Sequence, residues 1–305
     1  MLVTPTQLTL GARIDDLDLS CELPEYEIDQ LMLLLGRHGV LEFPEQNLTT
    51  EQLKKFSERF GKLYVSPGGR AQADGFPEVM ILSNMTREGQ ALGLKDAGQS
   101  WHTDMSYSRT IALANILYGT TIPHRAGLPL GDTQFRNMHA IYEDLPTDLK
   151  HKLVGKTITH DFNKFWEMMR QRPGNTRPAL SETEKNIRTP AIHSACLTHP
   201  ITRKKVLYAN PGYAVRINEM SEKESDEILN FLFEFQLQPQ YLYAYKWKKN
   251  AVLMWDNIGT THNAVADYAP EEHRYIQRCQ VMATRLFGES GTSDPIYFEP
   301  SGVAA

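Results

Sequence analysis

The feature that most limits what this chain can fold into is a succession of short apolar runs bounded by turn residues. Val40-Leu-Glu-Phe43 stops at Pro44, and Ile111 to Thr121 centres on Ala114-Asn-Ile-Leu-Tyr-Gly119. Tyr241, Tyr243, Tyr245 and Trp247 alternate, Ala251 to Trp255 is apolar throughout, and Tyr275 to Arg285 reads as a further strand. Val79-Met-Ile-Leu82 is strand-like inside a loop-rich stretch, 66–100, that suits the mouth of a site. Runs of this length and composition make buried or half-buried strands. No β-α-β rhythm and no Gly-rich phosphate loop accompanies them, so a parallel doubly wound sheet is not expected. The pattern predicts a mainly β fold, an antiparallel double-sheet barrel with flanking helices.

Helical spacing is confined to a few intervals. Pro24 opens one helix, with Ile28, Leu31, Leu34 and Leu35 on a face and Gly39 as its stop. Thr49 and Gln52 form a capping box before Leu53, Phe56 and Phe60, and Ser221 with Glu224 forms another before Ile228, Leu232 and Phe235. Met138 to Leu149 is helical by spacing, with a break at Pro146. Residues 163–192 are polar and carry Pro173, Pro178 and Pro190, which predicts a long irregular lid insertion. Residues 1–305 are otherwise read as one domain.

Net charge is −5, and no basic arm or block exists, so no nucleic-acid partner is expected. No run of about 18 apolar residues predicts a membrane span, and the N-terminus lacks the basic and apolar regions of a signal peptide. Cys21, Cys196 and Cys279 are scattered, without a Cys-x-x-Cys pair, which fits a reducing, cytoplasmic setting. A homo-oligomer, dimer or tetramer, is expected.

The chemistry centres on His102-Thr103-Asp104. In extended backbone, positions i and i+2 share a side, so one imidazole and one carboxylate can converge on a cation. Alone the motif says little, because 10 His and 37 acidic residues in 305 give about one His-x-acid triplet by chance. With a second histidine from far along the chain the imidazole and carboxylate would make a facial triad; His262 lies after Trp255-Asp-Asn257, at a strand end in a turn-like setting. Beyond it, Arg274 and Arg278 are four apart on one strand face, about 13 Å at roughly 3.3 Å per residue. Two guanidinium groups pointing into a barrel need anions.

Trp101-His102-Thr103-Asp104, Gly131-Asp132-Thr133, Thr198-His199-Pro200, Leu207-x-x-Asn210 with Gly212, Trp255-Asp256-Asn257, His262, Ala266-Asp267-Tyr268, Arg274 and Arg278 occur in this order. In these residues the chain resembles the taurine dioxygenase / 2,4-D dioxygenase family of Fe(II)- and 2-oxoglutarate-dependent oxygenases, from about Leu10 to Thr284. The resemblance implies a double-stranded β-helix (jelly-roll) barrel, with His102, Asp104 and His262 as iron ligands. It implies Thr133 and Arg274 as the grip on the distal carboxylate of 2-oxoglutarate. Arg278 would lie near the other carboxylate and the anionic head of the substrate. Phe162, Tyr213 and Met105 match substrate-pocket positions. Fe(II), 2-oxoglutarate and O₂ are the implied requirements, with succinate and CO₂ released as a small organic anion is hydroxylated, and in some cases thereby cleaved. A sulfonate, sulfate ester, phosphonate or aryloxy or alkyl carboxylate would fit.

Some positions depart from the family pattern. Ile258 stands where Trp-Asp-Asn is usually followed by Arg, and the interval from His262 to Arg274 is one residue longer than in taurine dioxygenase. Ser66 offers a hydroxyl near the place of a substrate-binding His, and no Asn occurs near Gly98. These leave the iron and cosubstrate residues intact and argue against taurine itself. Two alternatives remain open from sequence. One is a hydroxylase of an amino-acid-like or quaternary-amine acid, with the Tyr241–Trp247 aromatics as a cation–π wall. The other is a non-enzymatic barrel that senses a dicarboxylate.

Overall fold

The computed structural model describes residues 1–67, 71–172, 175, 177–288 and 295–301. Its largest sheet has eight strands. Their order is Leu2–Pro5, Ala12–Asp15, Val40–Phe43, Ala251–Asp256, Ala112–Thr121, Tyr275–Met282, Phe76–Ser83 and Gln72–Ala73. Pairing is antiparallel except between Ala12–Asp15 and Val40–Phe43. Ala112–Thr121 is apolar enough to sit at the centre, and its neighbours on both sides come from the far C-terminal half. Leu2–Pro5 is an edge strand that the sequence reading does not include; its residues are mostly exposed, so no apolar pattern marks it.

A three-stranded sheet, Leu242–Tyr245, Thr133–Asn137 and Thr260–Ala264, faces this one. Phe135, Tyr243, Tyr245 and Trp247 from its side pack with Val40, Leu117, Leu253, Trp255 and Ile276 from the large sheet. Burial of this layer, at about 25 cal/mol per Å² of apolar surface, is what holds the two sheets face to face. Thr157–His160, Ala191–Ser194 and Ala214–Ile217 make a further sheet. Among the described residues the strands thus form a sheet-rich fold with flanking helices.

The helices follow their local signals. Glu25–His38 ends at Gly39, whose φ of 70° favours glycine, and whose Cβ would also strike the Leu10 side chain. Thr50–Glu58 has the full Thr49–Gln52 capping box, and Ser221 accepts from the Glu224 amide at the start of Glu222–Phe235. The break at Pro146 separates Met138–Asp144 from Thr147–Leu153. Two expectations change. Residues 163–192 are not irregular throughout: their described part holds most of the helix Phe162–Arg170 and all of Glu182–Ile187, each N-capped by a polar side chain, Asp161 and Ser181. Pro173 of that segment lies outside the described residues. The Tyr241–Trp247 aromatics are all buried, and Tyr241 opens no strand but closes a short 3₁₀ turn, Pro239–Tyr241. They are core, so a cation–π wall is not available from them.

Candidate active site

His102 and His262 are brought together by backbone pairing. They form an isolated antiparallel bridge in which each amide donates to the other's carbonyl, at 3.0 and 2.8 Å. His262 stands inside the strand Thr260–Ala264 opposite Phe135, not at a strand end; the turn is completed before it, at Gly259. After His102 the chain does not continue as strand. It turns at Asp104, and Met105 takes φ 58°. The side chains still converge: His102 Nε2 is 3.5 Å from Asp104 Oδ1, and His262 Nε2 is 3.5 Å from Asp104 Oδ2. Donors bonded to one cation at about 2.0–2.2 Å must be this close.

The protonation states suit a metal. His102 Nδ1 donates to the Ser100 carbonyl at 2.7 Å, which orients the ring and leaves Nε2 as the atom turned toward Asp104. Burial, helped by the His102 ring, pushes His262 down to about 4, so it is neutral at pH 7. Burial opposes charge on Asp104, but the Arg278 guanidinium and the two imidazoles outweigh it and hold the carboxyl well below the usual range. Gly212 leaves the room: a Cβ there would meet His102 Cβ at 2.8 Å and Phe165 at 3.1 Å.

A polar network fixes Asp104. Asn257 Oδ1 accepts from the Asp104 amide at 3.2 Å, while its Nδ2 donates to the Asp104 carbonyl at 2.8 Å and to Ala112 O at 3.2 Å. Asn115 Nδ2 donates to the same Asn257 oxygen at 3.2 Å, and Asn115 Oδ1 accepts from Arg278 Nε at 3.0 Å. Arg278 Nη2 then donates to Asp104 Oδ2 at 2.9 Å, which closes the loop. Replacing Asn257 by alanine is expected to loosen the metal site about 10- to 100-fold, because the carboxylate loses its backbone clamp. Fe(II) titration checks this; wild-type affinity would show that Arg278 alone positions Asp104.

These groups open into a cavity of about 720 Å³. Of the residues singled out by sequence, Ser66, His102, Asp104, Thr133, Phe162, Tyr213, His262, Arg274 and Arg278 all line it. Met105 does not. It packs with Ala112 and Met282 and receives a bond from the Tyr107 hydroxyl at 3.3 Å, because the positive φ turns it away from the cavity. Thr133 begins the strand Thr133–Asn137, and its Oγ1 accepts from Trp247 Nε1 at 3.0 Å. Arg274 is buried at the cavity wall, and its Nε has no hydrogen-bond partner. No carboxylate pairs with it among the described residues, and burial lowers its pKa. Gly131 packs beneath it; a Cβ there would lie 3.3 Å from Arg274 Nε, and φ is 77°.

His199 orders a turn. Its Nδ1 accepts from the Ile201 and Thr202 amides, each at 3.2 Å, and its Nε2 faces Asp256 Oδ2 at 3.0 Å. Sequence reasoning missed Asn115, Phe165, Trp166 and Trp247 as parts of the site. Asn115 did carry a signal: a lone amide within the apolar run Ala114-Asn-Ile-Leu needs buried partners. Phe165 and Trp166 carried one too, as they share helical spacing with Phe162 and Met169.

A family model described as "Taurine catabolism dioxygenase TauD, TfdA family" matches residues 2–280. Pentalenolactone F synthase of Streptomyces avermitilis is 27% identical over 280 residues, covering 88% of this chain and 90% of that protein. An alkylsulfatase of Acinetobacter baylyi is 29% identical over 287 residues, covering 92% and 85%. The crystal structure of a taurine dioxygenase from Burkholderia xenovorans aligns with a TM-score of 0.74 at 29% identity, covering 92% of this chain and 89% of that one.

Proposed function

Because the chain belongs to the TauD/TfdA family and is thus a 2-oxoglutarate-dependent non-haem iron dioxygenase, we propose that it oxidises a small organic anion in the cavity beside His102, Asp104 and His262. Three convergent donors and a buried arginine with no carboxylate partner among the described residues, in one cavity, carry this reading. The residues fit the required groups. His102, Asp104 and His262 would hold Fe(II), leaving coordination positions open. Arg274 would pair with the distal carboxylate of 2-oxoglutarate, and Thr133, itself held by Trp247, would add a hydroxyl. When bound, iron with 2-oxoglutarate and O₂ supplies the oxidising chemistry that hydroxylates a C–H bond, with succinate and CO₂ as co-products.

The chain's own residues place the substrate and exclude water. Phe162, Phe165, Trp166 and Tyr213 form an apolar wall, suited to a body bulkier than that of taurine. The helices Phe162–Arg170 and Glu182–Ile187, within the insertion around 163–192, would act as the lid over it. In finer detail, the opposed eight- and three-stranded sheets support a double-stranded β-helix within a single domain, 1–305. No described helix is long and apolar enough to cross a membrane. A cytoplasmic homo-oligomer remains part of the proposal, with the three free cysteines in support of a reducing setting.

The relatives' names span a synthase, an alkylsulfatase and a taurine dioxygenase, so no one substrate passes to this chain by likeness. Substrate-stimulated consumption of 2-oxoglutarate across anionic, neutral and cationic compounds tests the reading. Anions other than taurine are expected to give the best turnover. Best turnover on taurine, or on uncharged compounds alone, would overturn it.

A further inference from the structure

Four arginines line the cavity, and three already have a partner or a designated one. Arg177 pairs with Asp96 at 2.7 Å. Arg278 pairs with Asp104 at 2.9 Å and is fixed by Asn115 at its Nε. Arg274 is the buried grip for the cosubstrate. The fourth, Arg188, caps the C-terminal end of the helix Glu182–Ile187 and is half-buried at the cavity wall. Its recorded contacts are a bond to the Glu184 carbonyl at 3.3 Å and the face of Phe162, 5.0 Å from the ring centroid. No carboxylate pairs with it among the described residues. The Glu184 carboxylate, which also lines the cavity, accepts from the Ser181 amide and hydroxyl at 2.8 and 2.9 Å at the other end of the helix.

We propose that Arg188 is the anion anchor for the primary substrate. The proposal rests on the reading of this cavity as the site of a small organic anion. Arg278 is less suited to the task, because moving its guanidinium onto a substrate would strip the partner from the buried Asp104. The surroundings of Arg188 favour an anion with an apolar body. From the His102 ring it is 6.1 Å to Tyr213, and Tyr213 stacks with Phe162 at 6.5 Å, the ring that Arg188 covers. Tyr107 lies 4.8 Å from both Phe162 and Tyr213, so a continuous aromatic path joins the metal site to the Arg188 guanidinium. The charge of Arg188 reaches the Tyr64 and Tyr107 phenols, which burial keeps protonated as donors. A substrate spanning this path presents its acid group to the lid and a remote carbon to the metal. Oxidation therefore falls away from the acid group, whereas an anion held by Arg278 would be oxidised next to it.

The probes are straight-chain and arylalkyl carboxylates, sulfonates and sulfate esters, each beside its neutral amide or ester. With Arg188→Ala, KM for the best acid should rise about tenfold or more, the loss expected for one charge-assisted bond, while 2-oxoglutarate saturation stays within twofold. Arg188→Lys should recover part of the loss, and the neutral analogue should show no dependence on residue 188. Product analysis should place the new hydroxyl away from the acid-bearing carbon. An unchanged KM, an equal loss for the neutral analogue, or oxidation beside the acid group would each overturn the assignment. If no acid is turned over by the wild-type protein, the anion reading itself fails, a result distinct from any of these.

Discussion

Alanine at His102, Asp104 or His262 is expected to abolish iron-dependent turnover, with at least a thousandfold loss. The site has three protein donors, and two cannot hold ferrous iron against water with comparable strength. The three variants should differ in stability. His102→Ala and His262→Ala remove imidazole rings at the cavity wall. Asp104→Ala also removes the partner of Arg278, and breaking a buried pair costs about 3–5 kcal/mol. Asp104→Asn keeps the shape and serves as the control. Thermal unfolding separates loss of metal from loss of fold, and succinate release at wild-type levels in any one variant would remove that residue from the metal site.

Arg274→Ala should raise the 2-oxoglutarate requirement roughly 30-fold or more, from about 2–5 kcal/mol for a desolvated charge pair. The guanidinium is buried, its Nε has no partner, and Gly131 is shaped to its underside, so nothing else on that wall replaces it. Thr133→Ala should cost less, since a hydroxyl contributes one neutral bond. Titration of 2-oxoglutarate in the two variants checks the order. An unchanged affinity in Arg274→Ala would mean that another residue holds the distal carboxylate.

The residues proposed to carry the chemistry stood out in the sequence, and the surfaces around them did not. His102, Asp104 and His262 stand out because metal chemistry admits few residue types, and the strand register that joins 102 to 262 brings them to one place. Arg274 and Arg278 both reach the cavity wall, although Arg274 precedes the strand Tyr275–Met282 and the register of that strand shifts between Tyr275 and Ile276. Met105 was misplaced because a positive φ cannot be read from a methionine. The partner of Arg278 was not visible either, since Asp104 and Asn115 meet it through tertiary packing. Residues 163–192 looked irregular because of their prolines, although Phe162, Phe165, Trp166 and Met169 stand at helical spacing in Phe162–Arg170. The aromatics at Tyr241–Trp247 are packing and not a cation–π wall, with Tyr243, Tyr245 and Trp247 against Trp255 and Ile276.

The most direct test is the stoichiometry of succinate and hydroxylated product, measured with the best acid found, with and without Fe(II), for the wild type and Asp104→Ala. The structure predicts one succinate per hydroxylated acid, formed only with Fe(II) and lost in Asp104→Ala. Product formed without iron, or at full rate in Asp104→Ala, would contradict the claim that this cavity is where the acid is oxidised.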